Sequence, residues 1–374
     1  MNTERAGSTR QRRTKEACAP ELEEVARQTA LGQPVVGLDL SNADLSGVVW
    51  AQAVFKQVVF AAADFRGADL RGARFIDCDL TQALLGEAKL VRTAFVDCRC
   101  GSVCFAGAQA LHLTMMQCDM SGSDWHRAAL AMSALSSCTL RGARFAGAAL
   151  VRSVLFDCRV ENADFSAMRL EHSALSKTDL RAAKLTGLSA TTSVLMDCDL
   201  SGLDLRGIAL VRCTLQGSDF SDADLRDAVL TEANCRGATL ARSRVSGLRA
   251  ERALLLGAHL ADLDLSRTAL SGALFAKACI ERVSFAHAAL EQTVWHESRL
   301  VDVGFDSANL TYAQFDHARG ERVSFERARL ERASFHDARF EQASFAGARA
   351  YRMKATDEAL LAAQRRTLEK ETLR

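Results

Sequence analysis

The sequence predicts a repeat fold, in which one short unit stacks on copies of itself, and three observations carry that expectation. A large apolar residue recurs every five residues: between Asp39 and Phe75 one falls at 40, 45, 50, 55, 60, 65, 70 and 75. Neither a 3.6-residue helix nor a two-residue strand produces that spacing. The register also never slips. Of the 63 positions divisible by five from Leu40 to Ala350, 56 carry Leu, Phe, Met, Val, Ile or Trp, the exceptions being Cys100, Ala110, Ala190, Cys235, Ala250, Gly320 and Ala350. Finally, 17 of the 18 phenylalanines and all three tryptophans (Trp50, Trp125, Trp295) sit in this register, with Phe156 alone outside it. The repeat therefore orders the chain before any local element is considered.

Two residues ahead of the large residue the side chain is small or compact, as at Ala43, Ala63, Cys78, Ser153, Ala223, Ala308 and Ala343. The segments ADLSG, ADFRG, ADLRG, ADFSA, SDFSD and ANLTY resemble the A(D/N)LXX motif of the pentapeptide-repeat family, and the resemblance covers about 315 of 374 residues. It implies an all-β solenoid: a right-handed quadrilateral β-helix with one pentapeptide per side, four per coil and about 16 coils. At roughly 4.8 Å per coil that is a rod about 75 Å long. The cysteines offer an independent check. They recur at 78, 98, 118, 138, 158 and 198, always at the small position and multiples of 20 apart, with Thr178 in the gap. A 20-residue coil stacks them in one column. The expected core accordingly includes Leu40, Phe65, Phe75, Cys78, Cys98, Cys118, Cys138, Cys158, Cys198, Phe285, Phe325 and Phe345. Each unit buries little alone, so stability comes from neighbours.

In chain order, residues 1–17 read as a disordered tail with four basic residues between Arg10 and Lys15. Residues 18–35 hold a capping helix, PELEEVARQTAL from Pro20 to Leu31, with proline at its start, acids in the first turn and Gly32 after it. An open β-helix end exposes unpaired strand edges, so a lid is required there. Residues 36–352 form the repeats. The only prolines, Pro20 and Pro34, precede them, as expected if every repeat keeps its N–H for the ladder. Glycine clusters two residues after the large one (Gly47, Gly67, Gly72, Gly142, Gly202), where a corner tolerates unusual backbone angles. Residues 353–374 read as a second helix, capped by Thr356, with Leu360, Leu361, Leu368 and Leu373 on an apolar face. That face either closes the last coil or forms a homodimer through the C-terminal end.

For chemistry the sequence offers little. Seven of the twelve cysteines occupy inward small positions, where a thiol acts as a small hydrophobe. Cys104 and Cys279 fall outside those positions and are the expected reactive thiols. Near the end, WHES, FDHA and FHDA occupy equivalent places in three successive coils. They stack His296, Asp316 and His336 in one outward column and Glu297, His317 and Asp337 in the next. Such columns either bind a divalent metal such as zinc or form a solvated ladder of opposite charges. No nucleophile–base pair, phosphate loop or cofactor motif is evident, and a solenoid filled by its own side chains offers no cleft. The expectation is a protein that is not an enzyme and carries no cofactor.

No apolar run approaches the ~18 residues of a membrane span, and the polar N-terminus lacks the apolar centre of a signal peptide; the expected place is the cytoplasm. Three functions then compete. A rigid scaffold or adaptor binding protein partners fits the length and the mixed surface, and the resemblance extends it to association with bacterial secretion systems. The resemblance equally implies a DNA-mimic binder of type II topoisomerases, as in quinolone-resistance members. Residues 36–350, however, carry 35 basic against 37 acidic side chains, far from the one charge per ~1.7 Å of duplex DNA. Direct nucleic-acid binding needs a basic, aromatic surface, and here the aromatics are inside. The scaffold is favoured.

Overall fold

The computed structural model describes residue 14, residues 18–195, residues 198–359 and residue 361; the basic stretch from Arg10 to Arg13 lies outside them. The chain is a parallel β-solenoid of about 15 turns, close to the 16 expected, and its contacts divide it into two compact units, Met1–Lys184 and Leu185–Arg374. In the first unit Val54–Lys56 pairs in parallel with Arg74–Ile76, setting Phe55 on Phe75, and the next strand sets Phe75 on Phe95. In the second, Cys279–Ser284 pairs with Arg299–Gly304 and sets Ile280 on Leu300. Every step is 20 residues, so four pentapeptides make one coil.

One pentapeptide accounts for all of its backbone donors. The N–H of Phe65 donates to Leu84 O in the next coil (2.8 Å), that of Gly67 to Gly86 O (3.4 Å), that of Ala68 back to Phe65 O across the corner (2.9 Å), and that of Asp69 to Val48 O in the preceding coil (2.8 Å). The remaining donor, Arg66 N–H, is accepted by Asp64 Oδ1 at 3.1 Å. The same side-chain turn recurs at Asp119, Asp164, Asp219 and Asp264. The Asp or Asn of the repeat motif therefore closes a local turn that no backbone acceptor serves.

Among the described residues the corner residue two after the large one lies in the left-handed region in every coil side but that of Ala182. Gly67 has φ +68°, yet so do many L-residues at the same place, such as Arg92 (φ 57°) and Asp262 (φ 55°). Left-handed backbone costs an L-residue roughly 1–2 kcal/mol. The two ladder bonds beside each corner impose it anyway, so glycine is enriched here without being required.

Inside, aromatic rings stack coil on coil: Phe55, Phe75 and Phe95 at 5.0 and 4.8 Å in the first unit, and Phe275, Trp295 and Phe315 at 4.2 and 5.5 Å in the second. Leu40, Phe65, Phe75, Phe285 and Phe325 are fully buried, and the expected core cysteines are buried as well. Thiols and hydroxyls at the small position also bind coil to coil. Cys98 Sγ donates to Phe75 O (3.4 Å), Thr93 Oγ1 to Leu70 O (2.8 Å) and Ser243 Oγ to Phe220 O (2.8 Å). Gly320 stands where a large residue belongs, and the ring of Phe340 from the next coil fills its place.

At the N-terminal end the helix Ala19–Ala30 packs against the strand Val35–Val36 and buries Val25. One expectation at the other end needs correction. Phe345 is 42% exposed: it stacks on Phe325 (4.8 Å) in the last coil of the described residues, and among those residues no further coil covers it. Of the expected C-terminal helix, Glu358, Ala359 and Leu361 are helical and Leu361 is buried. Leu360, Leu368 and Leu373 lie outside the described residues. Among those residues no helix is long and apolar enough to cross a membrane.

Candidate functional site

With backbone and core spent on the solenoid, only outward side chains can meet a ligand, and the 20-residue coil sets them in rows. In the second unit one corner row alternates charge: Arg242 binds Asp222 at 2.7 Å, Arg282 binds Asp262 at 2.6 Å, and Arg322 binds Asp302 at 2.5 Å. Each guanidinium holds its carboxyl below the usual range. Asp204, bonded to Arg206, is lowered from 3.8 to about 2. Such a group contributes stability above its unfolded value near 4 and loses it as pH falls through the folded value. Acidification from pH 5 to pH 2 should thus lower the melting temperature, with R206Q removing part of that dependence and matching the wild type below pH 2. Because these pairs are exposed, each contribution is small.

At the C-terminal end the structure brings the histidines together. The rings of His296 and His317 meet edge to face at 5.1 Å, and those of His317 and His336 at 5.4 Å. One ring nitrogen of each is already engaged. His296 Nε2 lies 3.1 Å from Glu297, which also binds Lys277 at 3.4 Å. His317 Nδ1 lies 3.1 Å from Asp337, which Arg319 (3.1 Å) and Arg339 (3.7 Å) share. Asp316 Oδ1 accepts the Ser334 hydroxyl at 2.5 Å and the His336 N–H at 3.1 Å. His336 is not outward as expected but 7% exposed. The C-terminal segment covers it: Asp357 N–H donates to His336 Nδ1, and Thr356 Oγ1 accepts the Asp337 N–H, both at 3.2 Å. Among the described residues no group of three His, Cys, Asp or Glu side chains is arranged to hold a metal ion. The chemistry on view is attachment of the C-terminal segment.

The twelve cysteines are free thiols. In the first unit's column, the neighbouring thiol and burial push Cys98 and Cys138 up to about 12 and raise Cys78 and Cys158 as well. These thiols stay protonated and unreactive. Cys279 is exposed and Cys104 half-buried.

The first unit presents a surface that composition concealed. On its sheet of strands Arg74–Ile76, Ala94–Val96, Thr114–Met116, Ala134–Ser136 and Val154–Phe156, outward positions include Ile76, Val96, Met116, Val154 and Phe156, beside the polar Arg74, Thr114 and Ser136. Met116 is 43% and Phe156 38% exposed. Phe156, the one phenylalanine out of register, is out of register because it faces solvent. On the adjoining side Val91, Leu111 and Ala131 line an open concavity of about 670 Å³, with Glu87 and Lys89 as its charged groups. The expectation of no cleft is corrected to that extent: Ala110, Ala129 and Ala131 are too small to level the wall.

The family profile for pentapeptide repeats matches eight copies, over residues 39–75, 133–171, 173–208, 209–247 and 324–353. Among solved structures the chain is similar to QnrB1, a plasmid-mediated fluoroquinolone resistance protein, at 24% identity over 50% of this chain and 90% of that one, with a TM-score of 0.35. It is also similar to HetL, a pentapeptide repeat protein involved in heterocyst differentiation regulation in the cyanobacterium Nostoc, at 19% identity over 89% and 95% of the two chains, with a TM-score of 0.21. A pentapeptide repeat protein of the Arabidopsis thaliana thylakoid lumen shares 27% identity over 32% and 66%, with a TM-score of 0.19. No curated protein matches the chain.

Proposed function

Because the chain belongs to the pentapeptide-repeat family, we propose that it is a non-catalytic scaffold or adaptor of the bacterial cytoplasm that binds protein through the apolar sheet face of its first unit. The observation that carries this reading is the contrast between outward rows. In the second unit the corner row is neutralised pair by pair, Asp222 with Arg242 through Asp302 with Arg322. In the first, Val96, Met116, Val154 and Phe156 stand outward on one sheet, with the Lys177 ammonium over the Phe156 ring. Contiguous apolar surface on a folded protein marks an interaction site. The charged groups of the concavity, Glu87 and Lys89, include no nucleophile beside a base, which supports the non-catalytic half of the reading. The carboxylates locked to arginines weigh against mimicry of a duplex, whose phosphates must be free to attract.

A photo-crosslinking residue placed at Met116 is expected to give protein adducts in cells, whereas the same residue at Asp262 gives none. Equal labelling from both positions, or none from Met116, removes the reading.

A further inference from the structure

The apolar face of the first unit has two edges, and they differ in charge. Each strand is entered through one corner residue and left through another. Ala94–Val96 lies between Arg92 and Asp97, and Val154–Phe156 lies between Arg152 and Asp157. All four corner residues are exposed. Arg92 and Arg152 take part in no ion pair among the described residues, while Asp157 accepts only a hydroxyl, from Ser137 at 3.2 Å, in the bonds seen. At these two coils the entry corner is thus basic and the exit corner acidic, while the coils between them carry His112 and Met132 on the entry side and Gln117 and Ser137 on the exit side, and Lys177 follows Asp157 on the exit edge.

We propose that this face binds a second copy of the chain, related by a two-fold axis lying in the contact plane and parallel to the solenoid axis of the first unit. That operation lays the face on itself, keeps each coil at its own height and exchanges the edges. Arg92 of one copy then meets Asp97 of the other, Arg152 meets Asp157, and each pair occurs twice. A two-fold axis running along the strands instead sets arginine against arginine, so the charges select the parallel arrangement. The inference rests on the scaffold reading for the existence of a binding face and adds the identity of its occupant.

The expected strength follows from size. Five strands about 4.8 Å apart, each side about 16 Å wide, offer roughly 400 Å² per partner, against about 800 Å² in a standard interface. A weak, concentration-dependent dimer follows rather than an obligate one. Lys177 leans over the Phe156 ring at 5.2 Å and must swing aside or cover the rim.

Sedimentation equilibrium of the full chain across a concentration series tests this. The wild type should dimerise, and F156E should not, with its melting temperature unchanged because the side chain faces outward. R152E alone and D157R alone should each dimerise about tenfold more weakly, since each sets like charges together twice. An equimolar mixture of the two should recover wild-type association, because Glu at 152 then meets Arg at 157 and the native Arg152 meets the native Asp157. A monomeric wild type at every concentration, undiminished association of the single variants, or a mixture that fails to recover overturns the proposal. If the wild type is monomeric while position 116 still crosslinks to another protein, the second copy is wrong and the scaffold reading stands; if position 116 crosslinks to nothing, both fall.

Discussion

Replacing Trp295 with alanine is expected to destabilise the second unit by about 3–5 kcal/mol, the range for deleting a large buried aromatic. Trp295 is fully buried. It stacks between Phe275 and Phe315 and meets Phe285 and Phe305 edge to face at 5.4 and 5.2 Å. Its indole N–H donates to Thr293 Oγ1 at 2.9 Å, and that hydroxyl itself donates to Leu290 O at 2.7 Å. Removing the indole therefore strands no donor, and the loss is one of packing. Trp295→Phe, which keeps a ring between two phenylalanines, should cost under about 1.5 kcal/mol. Denaturant midpoints followed by far-UV circular dichroism would separate the two. If both substitutions cost the same, the indole's hydrogen bond rather than its volume is what matters.

Ala94→Pro should cost about 3 kcal/mol or more. The Ala94 N–H donates to Ala73 O in the preceding coil at 2.9 Å, and proline has no hydrogen to give. The side chain points outward between Thr93 and Phe95, both fully buried, so the ring would not enter the core and the effect isolates the ladder. Because each coil leans on its neighbours, the damage should spread. Hydrogen exchange ought to quicken in Arg74–Ile76 and Thr114–Met116 together, the strands on either side of Ala94–Val96. Exchange confined to residue 94 and its immediate neighbours would mean that the coils are independent.

Much of this was legible because the repeat is dictated by burial. A side must bring one large and one small residue inward, and counting in fives finds both, from Leu40 to Phe335. The count fails at the last coil. Phe345 has the right residue in the right register, but burial there needs a neighbour above, and register carries no information about where the stack stops. His336 was misplaced for the related reason that Thr356 and Asp357 fold over it, a contact between residues some 20 apart that no repeat pattern encodes. The exception at Gly320 was visible and its cause was not, since only the packing shows the Phe340 ring in the vacant place. The role of the motif's Asp, accepting the N–H two residues on, was available from turn chemistry alone.

By itself the sequence determined the period, the inward residues and the 20-residue coil, because side-chain size and solvent exclusion act through local spacing. Tertiary structure alone decided which outward residues become neighbours. Arg242 and Asp222, or Val96 and Met116, adjoin only because the coil returns the chain to the same wall, and whether a row ends as a neutral ladder or a bare apolar face depends on that adjacency rather than on composition.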